Sequence, residues 1–257
     1  MKINWATFRS DRNFFLKYFV AQMLIAVGLA ALIVAVRGVH FELTHFDPRV
    51  LWALPLAFAI GVKAPVMLHN AVHENYKPRW ANDLLGELLG FFVLFGLAPF
   101  RISHILHHSF ADTKQDPHPP DGKSFAHFLL TTQLNSIRVI RRKFLDYHGE
   151  SLATHSILAT EMAAYYVGVA GRIVAIGILL GPTFALGFYL PAWLTNLVVF
   201  AHINFATHVE TDDGETELLN LDGNVYYRLV NFLGDGAYYH ANHHRWPKRI
   251  NPKYAAA

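Results

Sequence analysis

The sequence predicts an all-α integral membrane fold. We expect four transmembrane helices in two hairpins, a re-entrant or interfacial helix, and a cytoplasmic helical cap that carries a metal site. Three observations predict it. Hydrophobic residues make up 53% of the 257-residue chain, with a mean hydropathy of +0.23. Charged residues make up 16%, where a soluble domain carries roughly a quarter. Histidine, at 16 copies, gathers in clusters that begin where apolar runs end. The length fits a single domain over residues 1–257.

The spans follow in order. Tyr18–Val36 is free of charge, Val50–Leu68 holds only Lys63, Met162–Leu180 holds only Arg172, and Pro182–Ala201 has none. Each approaches the ~20 residues needed to cross the hydrocarbon core. Leu84–Phe100 is shorter, carries Glu87 and ends in Ala-Pro-Phe. It reads as a re-entrant or interfacial helix. Gly181-Pro182 joins the last two spans almost directly, and the stretch from Arg37 to Arg49 joins the first two.

Basic residues set the orientation. The N-terminal tail has Lys2, Arg9, Arg12 and Lys17. Nine more lie between His69 and Glu161, and five follow Ala201, against only Arg37 and Arg49 in the connecting loops. Both termini and the middle segment are therefore expected on the cytoplasmic side of the membrane. The basic N-terminus leads into an apolar run long enough to span, without a clear cleavage site, so a cleavable leader is not expected. A formal charge of +3 gives a nucleic-acid partner little support. The absence of cysteine excludes disulfides, cysteine-ligated iron–sulfur clusters and a thiol nucleophile.

Three histidine clusters carry the chemistry: His69-x3-His73, His104-x2-His107-His108 and His240-x2-His243-His244. On a helix, residues three and four apart share a face, so each cluster offers two or three imidazoles to one region. Asn204-x3-His208 adds an amide and an imidazole just past the last span. Imidazole suits iron, copper, zinc and nickel. Eight or nine imidazoles are too many for one ion, whereas two ions with four or five ligands each, and an open position for oxygen, account for the number.

The three clusters resemble the histidine boxes of the membrane fatty-acid-desaturase superfamily. Their surroundings resemble it too: Asn82-Asp-Leu-Leu-Gly86 after the first, Asp116-Pro117 after the second, and Asn242-His243-His244 with Pro247 at the third. Asn204-x3-His208 resembles the additional ligand pair of acyl-coenzyme A desaturases. The resemblance covers roughly Leu68 to Pro247. It implies a di-iron centre using O2, with His69, His73, His104, His107, His108, His208, His240, His243 and His244 as catalytic metal ligands and Asn204 completing one site. It also implies a lipid or acyl substrate in a tunnel and an external electron donor, a ferredoxin or a small haem protein, since the chain has neither a c-type haem attachment motif nor a Gly-x-Gly-x-x-Gly fingerprint. Desaturation of an acyl chain or acyl-like lipid is the expected reaction. The first box is one residue shorter than in acyl-coenzyme A desaturases, and this supports a hydroxylase or ketolase of a lipid or carotenoid as runner-up. A histidine-rich membrane metal transporter is the rival of another class, but it would place ionisable ligands near the bilayer midplane, and these spans are nearly free of histidine. A zinc hydrolase would use only three or four protein ligands.

Other polar residues carry weaker expectations. His40, His45, His118, His127, His148 and His155 lack partners at ligand spacing, and His202 would face away from His208. Asp83, Asp116 and Asp235 are candidates to orient ligand imidazoles. Lys63 is expected to snorkel to the interface. The basic run Arg138–Lys143 reads as a solvated or lipid-facing patch, or a dock for an acidic electron carrier.

Overall fold

The computed structural model describes residues 3–38, 46–120, 122–211, 213 and 216–255; His40 and His45 lie outside them. It is 74% helical. The expected all-α class holds, with one addition: strands β1 (His208–Glu210) and β2 (Thr216–Leu218) form a short antiparallel pair, His208 opposite Leu218.

Three stretches are long and apolar enough to cross a membrane: Phe14–Arg37, Pro48–Val72 and Leu152–Thr207. A fourth candidate is a bent pair, α4 (Trp80–Phe92) with α5 (Leu97–Phe110), which turns by 101°. The chain is thus an integral membrane protein with three to four candidate spans. The expected spans Met162–Leu180 and Pro182–Ala201 both lie in Leu152–Thr207, whose 56 residues would measure about 84 Å as one straight helix, against a hydrocarbon core of about 30 Å. The helical backbone breaks at Gly181 (φ 71°, ψ 164°), where the connecting loop was expected. Pro182 enforces this break, because its ring disfavours helical geometry in the residue before it. The run Leu84–Phe100 is divided between α4 and α5. Its bend comes from two left-handed backbones, Leu94 (φ 64°) and Gly96 (φ 94°). Gly90 permits the tight return, since a Cβ there would meet the Leu97 nitrogen at 2.7 Å.

Residues 1–57 and 141–191 form one compact unit, and residues 58–140 and 192–257 a second. In the first, α1 (Trp5–Ser10) buries Phe8 completely, with Phe14, Phe15, Phe144 and Tyr147 around it. The His148 ring donates to the Phe8 carbonyl at 3.2 Å, a structural role. Helix α2 (Phe14–Arg37) and helix α7 (Leu152–Phe184) pack along their lengths. Phe19 meets Tyr165, Met23 meets Gly168, Ala26 meets Gly171, Ala30 and Ile33 meet Ala175, and Arg37 donates to the Leu179 carbonyl. Partner numbers rise together, so the two helices run parallel. Glycine and alanine at the contact let the backbones approach closely, the usual device between helices in lipid. Leu24, Ile25, Leu32 and Val36 of α2 face outward, as a lipid-facing surface requires.

The second unit holds most of α3 (Leu54–Val72), then α4, α5, the first part of α6 (Phe125–His148), nearly all of α8 (Leu190–Thr207), α9 (Val225–Leu233) and α10 (His240–Arg245). Its core gathers Val62, Val199, Ile203, Val230 and Tyr238. Asn82, almost fully buried, accepts from the Tyr76 amide and donates to the carbonyls of Tyr76 and Arg79. It thereby fixes the loop that follows the first histidine cluster. The Lys63 ammonium pairs with both carboxylate oxygens of Asp235 at 2.7 Å, and its side chain stays partly exposed.

Candidate metal centre

Four elements of the second unit bring the imidazoles together. His69 lies in the last turn of α3, and His73 just beyond it still donates its amide to the His69 carbonyl. His104, His107 and His108 lie on α5, and His240, His243 and His244 on α10. His208 differs from its expected setting. Helix α8 ends at Thr207 and His208 opens β1, so Asn204 and His208 do not share a continuous helical face.

The nine histidines separate into two groups. His69, His73, His104, His108 and His243 form one; His107, His208, His240 and His244 form the other, and within each group the ligand atoms lie within 4.8 Å of one another. In the first group the Nε2 atoms are 2.9 Å apart for His69 and His243, 2.7 Å for His73 and His104, and 3.0 Å for His108 with each of His104 and His243. In the second, His240 and His244 are 3.1 Å apart. Two nitrogens bound at right angles to one ion by bonds of about 2.1 Å would be about 3 Å apart. The five-membered group therefore has the spacing of ligands converging on a shared cation. Neutral imidazoles cannot satisfy it alone, because each carries one proton and one lone pair.

Two carboxylates fix the second group. Asp116 accepts from His107 Nδ1 at 2.9 Å, and Asp112 accepts from His208 Nδ1 at 2.9 Å. This leaves Nε2 of both rings as the lone-pair nitrogen, and both Nε2 atoms are buried with no hydrogen-bond partner among the described residues. Carboxylate–histidine pairs of this form orient metal ligands and raise their basicity, so the donor set fits a metal. Asp116 is itself held by the amides of Asp112 and His118, at 2.8 and 2.7 Å. Asp116, readable from sequence equally as a ligand-orienting acid or as a turn residue before Pro117, does both: it accepts from His107 and from the His118 amide. Asp83 and Asp235 do not orient imidazoles: Asp83 pairs with the buried Arg101, and Asp235 with Lys63. Asp112 was missed. Its signal was a second acid four residues before Asp116 and four after His108.

Asn204 lies with His69, His104, His240 and His243 around a cavity of about 30 Å³, room for one or two small molecules of water size. Its amide nitrogen donates to the Phe200 carbonyl. His118 stands 5.7 Å from the His107 ring, held by Ser103 and Thr132. His202 bonds the Tyr238 hydroxyl at 2.5 Å. Neither joins a group, as expected, and nor do His127, His148 and His155.

A family model for fatty acid desaturases matches residues 48–257, most of the chain. The chain belongs to the fatty acid desaturase family. The match spans all nine clustered histidines as well as Asp112 and Asp116, so this desaturase-family chain is an oxidoreductase. No curated protein and no solved structure matches it.

Burial keeps these desaturase-family imidazoles neutral and ready to bind a cation. It lowers His73 to about 3, with help from the charges of His108 and Lys248, and His118 to about 3. Burial and the neighbouring His107 and His108 lower His244 to about 2. In the unfolded chain the same groups titrate near 6.5. Below that pH the unfolded state binds more protons than the folded one, so stability falls as pH drops from 6.5 towards 3. Metal-free protein should therefore unfold at a lower temperature at pH 5 than at pH 7.5. An equal or higher unfolding temperature at pH 5 would show that the rings are not held neutral.

Proposed function

We propose that this chain, read as one functional domain over residues 1–257, is a membrane-bound di-iron desaturase acting on an acyl chain or acyl-like lipid with O2 and externally supplied electrons. The observation that carries the reading is the division of nine histidines into a group of five and a group of four, with the family match around them. His69, His73, His104, His108 and His243 would hold one iron, and His107, His208, His240 and His244 the other. Asn204 would complete a site directly or through a water. Iron with O2 supplies an oxidant strong enough to remove a hydrogen from an unactivated carbon.

The protein's own residues set the conditions. Asp112 and Asp116 hold His208 and His107 in the tautomer that presents Nε2 inward. Val66, Phe200, Ile203 and Ala237 supply apolar wall to the cavity beside the imidazoles. His69 and His73 sit at the end of α3 rather than within its length, which favours an enzyme over a transporter. Hydroxylation or ketone formation on a lipid or carotenoid is the alternative, because both reactions begin with the same hydrogen removal. Isotopically labelled dioxygen separates them. Label only in water supports desaturation; label in the organic product supports the hydroxylase.

We also place both termini and the metal centre on the cytoplasmic side, supported by the distribution of basic residues. Single cysteines in this cysteine-free chain test it with an impermeant reagent. Phe46→Cys should label only from outside intact cells, and Phe110→Cys only after the membrane is opened. The reverse pattern would overturn the orientation.

A further inference from the structure

The proposed reaction consumes electrons that the chain cannot store, so a carrier must deliver them close to the imidazoles. We infer that Arg245, Lys248, Arg249 and Lys253 form the docking surface for an acidic, soluble one-electron carrier. This inference rests on the di-iron reading above.

All four side chains are exposed, and the segment from His240 to Ala255 contains no Asp or Glu. Among the described residues none of the four pairs with a carboxylate. Asp235 is neutralised by Lys63. Asp222 accepts from the Tyr239 hydroxyl and keeps its charge, so the patch sets four cations against one neighbouring carboxylate and stays net positive. Aromatic rings hold two of the cations in place: Arg245 lies 4.9 Å over Trp246, and Lys253 lies 5.9 Å over Tyr239.

Position identifies the partner. Lys248 Nζ donates to the backbone carbonyl of His73 at 2.8 Å. Arg249 borders the same cavity as His69, His104, His240 and His243. Arg245 follows His244 directly in the chain. A protein seated on these cations would lie against the backbone of two proposed ligands, His73 and His244, and electron transfer slows steeply with distance. A cluster of one sign steers an oppositely charged partner and raises its association rate by about 10- to 1,000-fold, an advantage that salt removes.

The test uses the iron-loaded, full-length protein in nanodiscs, with an acidic plant-type [2Fe–2S] ferredoxin as donor and dithionite as a small reductant. Arg245→Glu with Lys253→Glu should slow reduction of the iron centre by ferredoxin at least tenfold at low salt and flatten its salt dependence. Iron content and reduction by dithionite should not change. If dithionite reduction also falls, Arg245→Gln with Lys253→Gln, which removes charge without reversing it, must still slow ferredoxin selectively. Unchanged ferredoxin kinetics, or loss with both reductants in the Gln variant, would overturn the inference. A defect confined to nanodiscs containing phosphatidylglycerol, and absent in phosphatidylcholine alone, would assign the patch to anionic lipid and overturn it too. Wild-type protein without an iron pair would instead remove the di-iron reading, and the inference with it.

Discussion

His107→Ala should abolish turnover and strip iron from the second group. His107 is fully buried, its Nδ1 is committed to Asp116, and its Nε2 is one of only two unpartnered ligand nitrogens among the described residues of that group. The group has four histidines, so alanine leaves three nitrogens and a void where the imidazole stood. The Asp116 carboxylate would also lose its ring partner in a buried place, which costs about 1–3 kcal/mol or more for a charged group. Activity should fall to background, and iron per chain should fall by at least one. His148→Ala is the control: it removes one bond to the Phe8 carbonyl in the other unit and should leave iron content unchanged. Full activity in His107→Ala would remove this residue from the ligand set.

Asp112→Asn should lower metal affinity or activity by about 10- to 100-fold, the usual cost of losing a carboxylate behind a ligand imidazole. The substitution keeps the shape and removes the charge. An asparagine amide can turn its nitrogen toward His208 Nδ1, which would favour the wrong tautomer and move the proton to Nε2, where the metal must bind. Asp116→Asn should act in the same direction on His107. The loss should appear as a higher metal concentration needed for half-maximal iron loading, measured by titration of metal-free protein. An unchanged loading curve in Asp112→Asn would mean that His208 is oriented by other contacts.

These two effects differ in how far the sequence announced them. The histidines at positions 69, 104, 107, 108, 240, 243 and 244 were legible because helical spacing of three and four places them on common faces, and α3, α5 and α10 keep those faces. His208 was legible as a residue but not as a conformation, since the end of α8 falls one residue before it. The division of the nine rings between two groups was not legible at all. His243 joins a group with His69, 174 positions away, while its neighbour His244 joins the other. Helical spacing describes which residues share a face, not which partner that face meets.

The same limit explains Lys63. Alone inside the apolar run Val50–Leu68 it reads as an interfacial cation, and its partner Asp235 is 172 positions away. Asp112 was hidden differently. It adopts a left-handed backbone (φ 62°), uncommon for a residue other than glycine. Immediately after α5, this places its carboxylate against a ring from a different element. The spans were legible from composition, and the break at Gly181 from Gly-Pro. The 101° bend between α4 and α5 depends on Leu94, a residue type that gives no turn signal.

Metal quantification on the purified wild-type protein tests the central claim most directly. Two histidine groups of five and four, each able to hold one ion, predict two irons per chain. Zinc or nickel in place of iron, or a single ion per chain at full occupancy, would contradict the account.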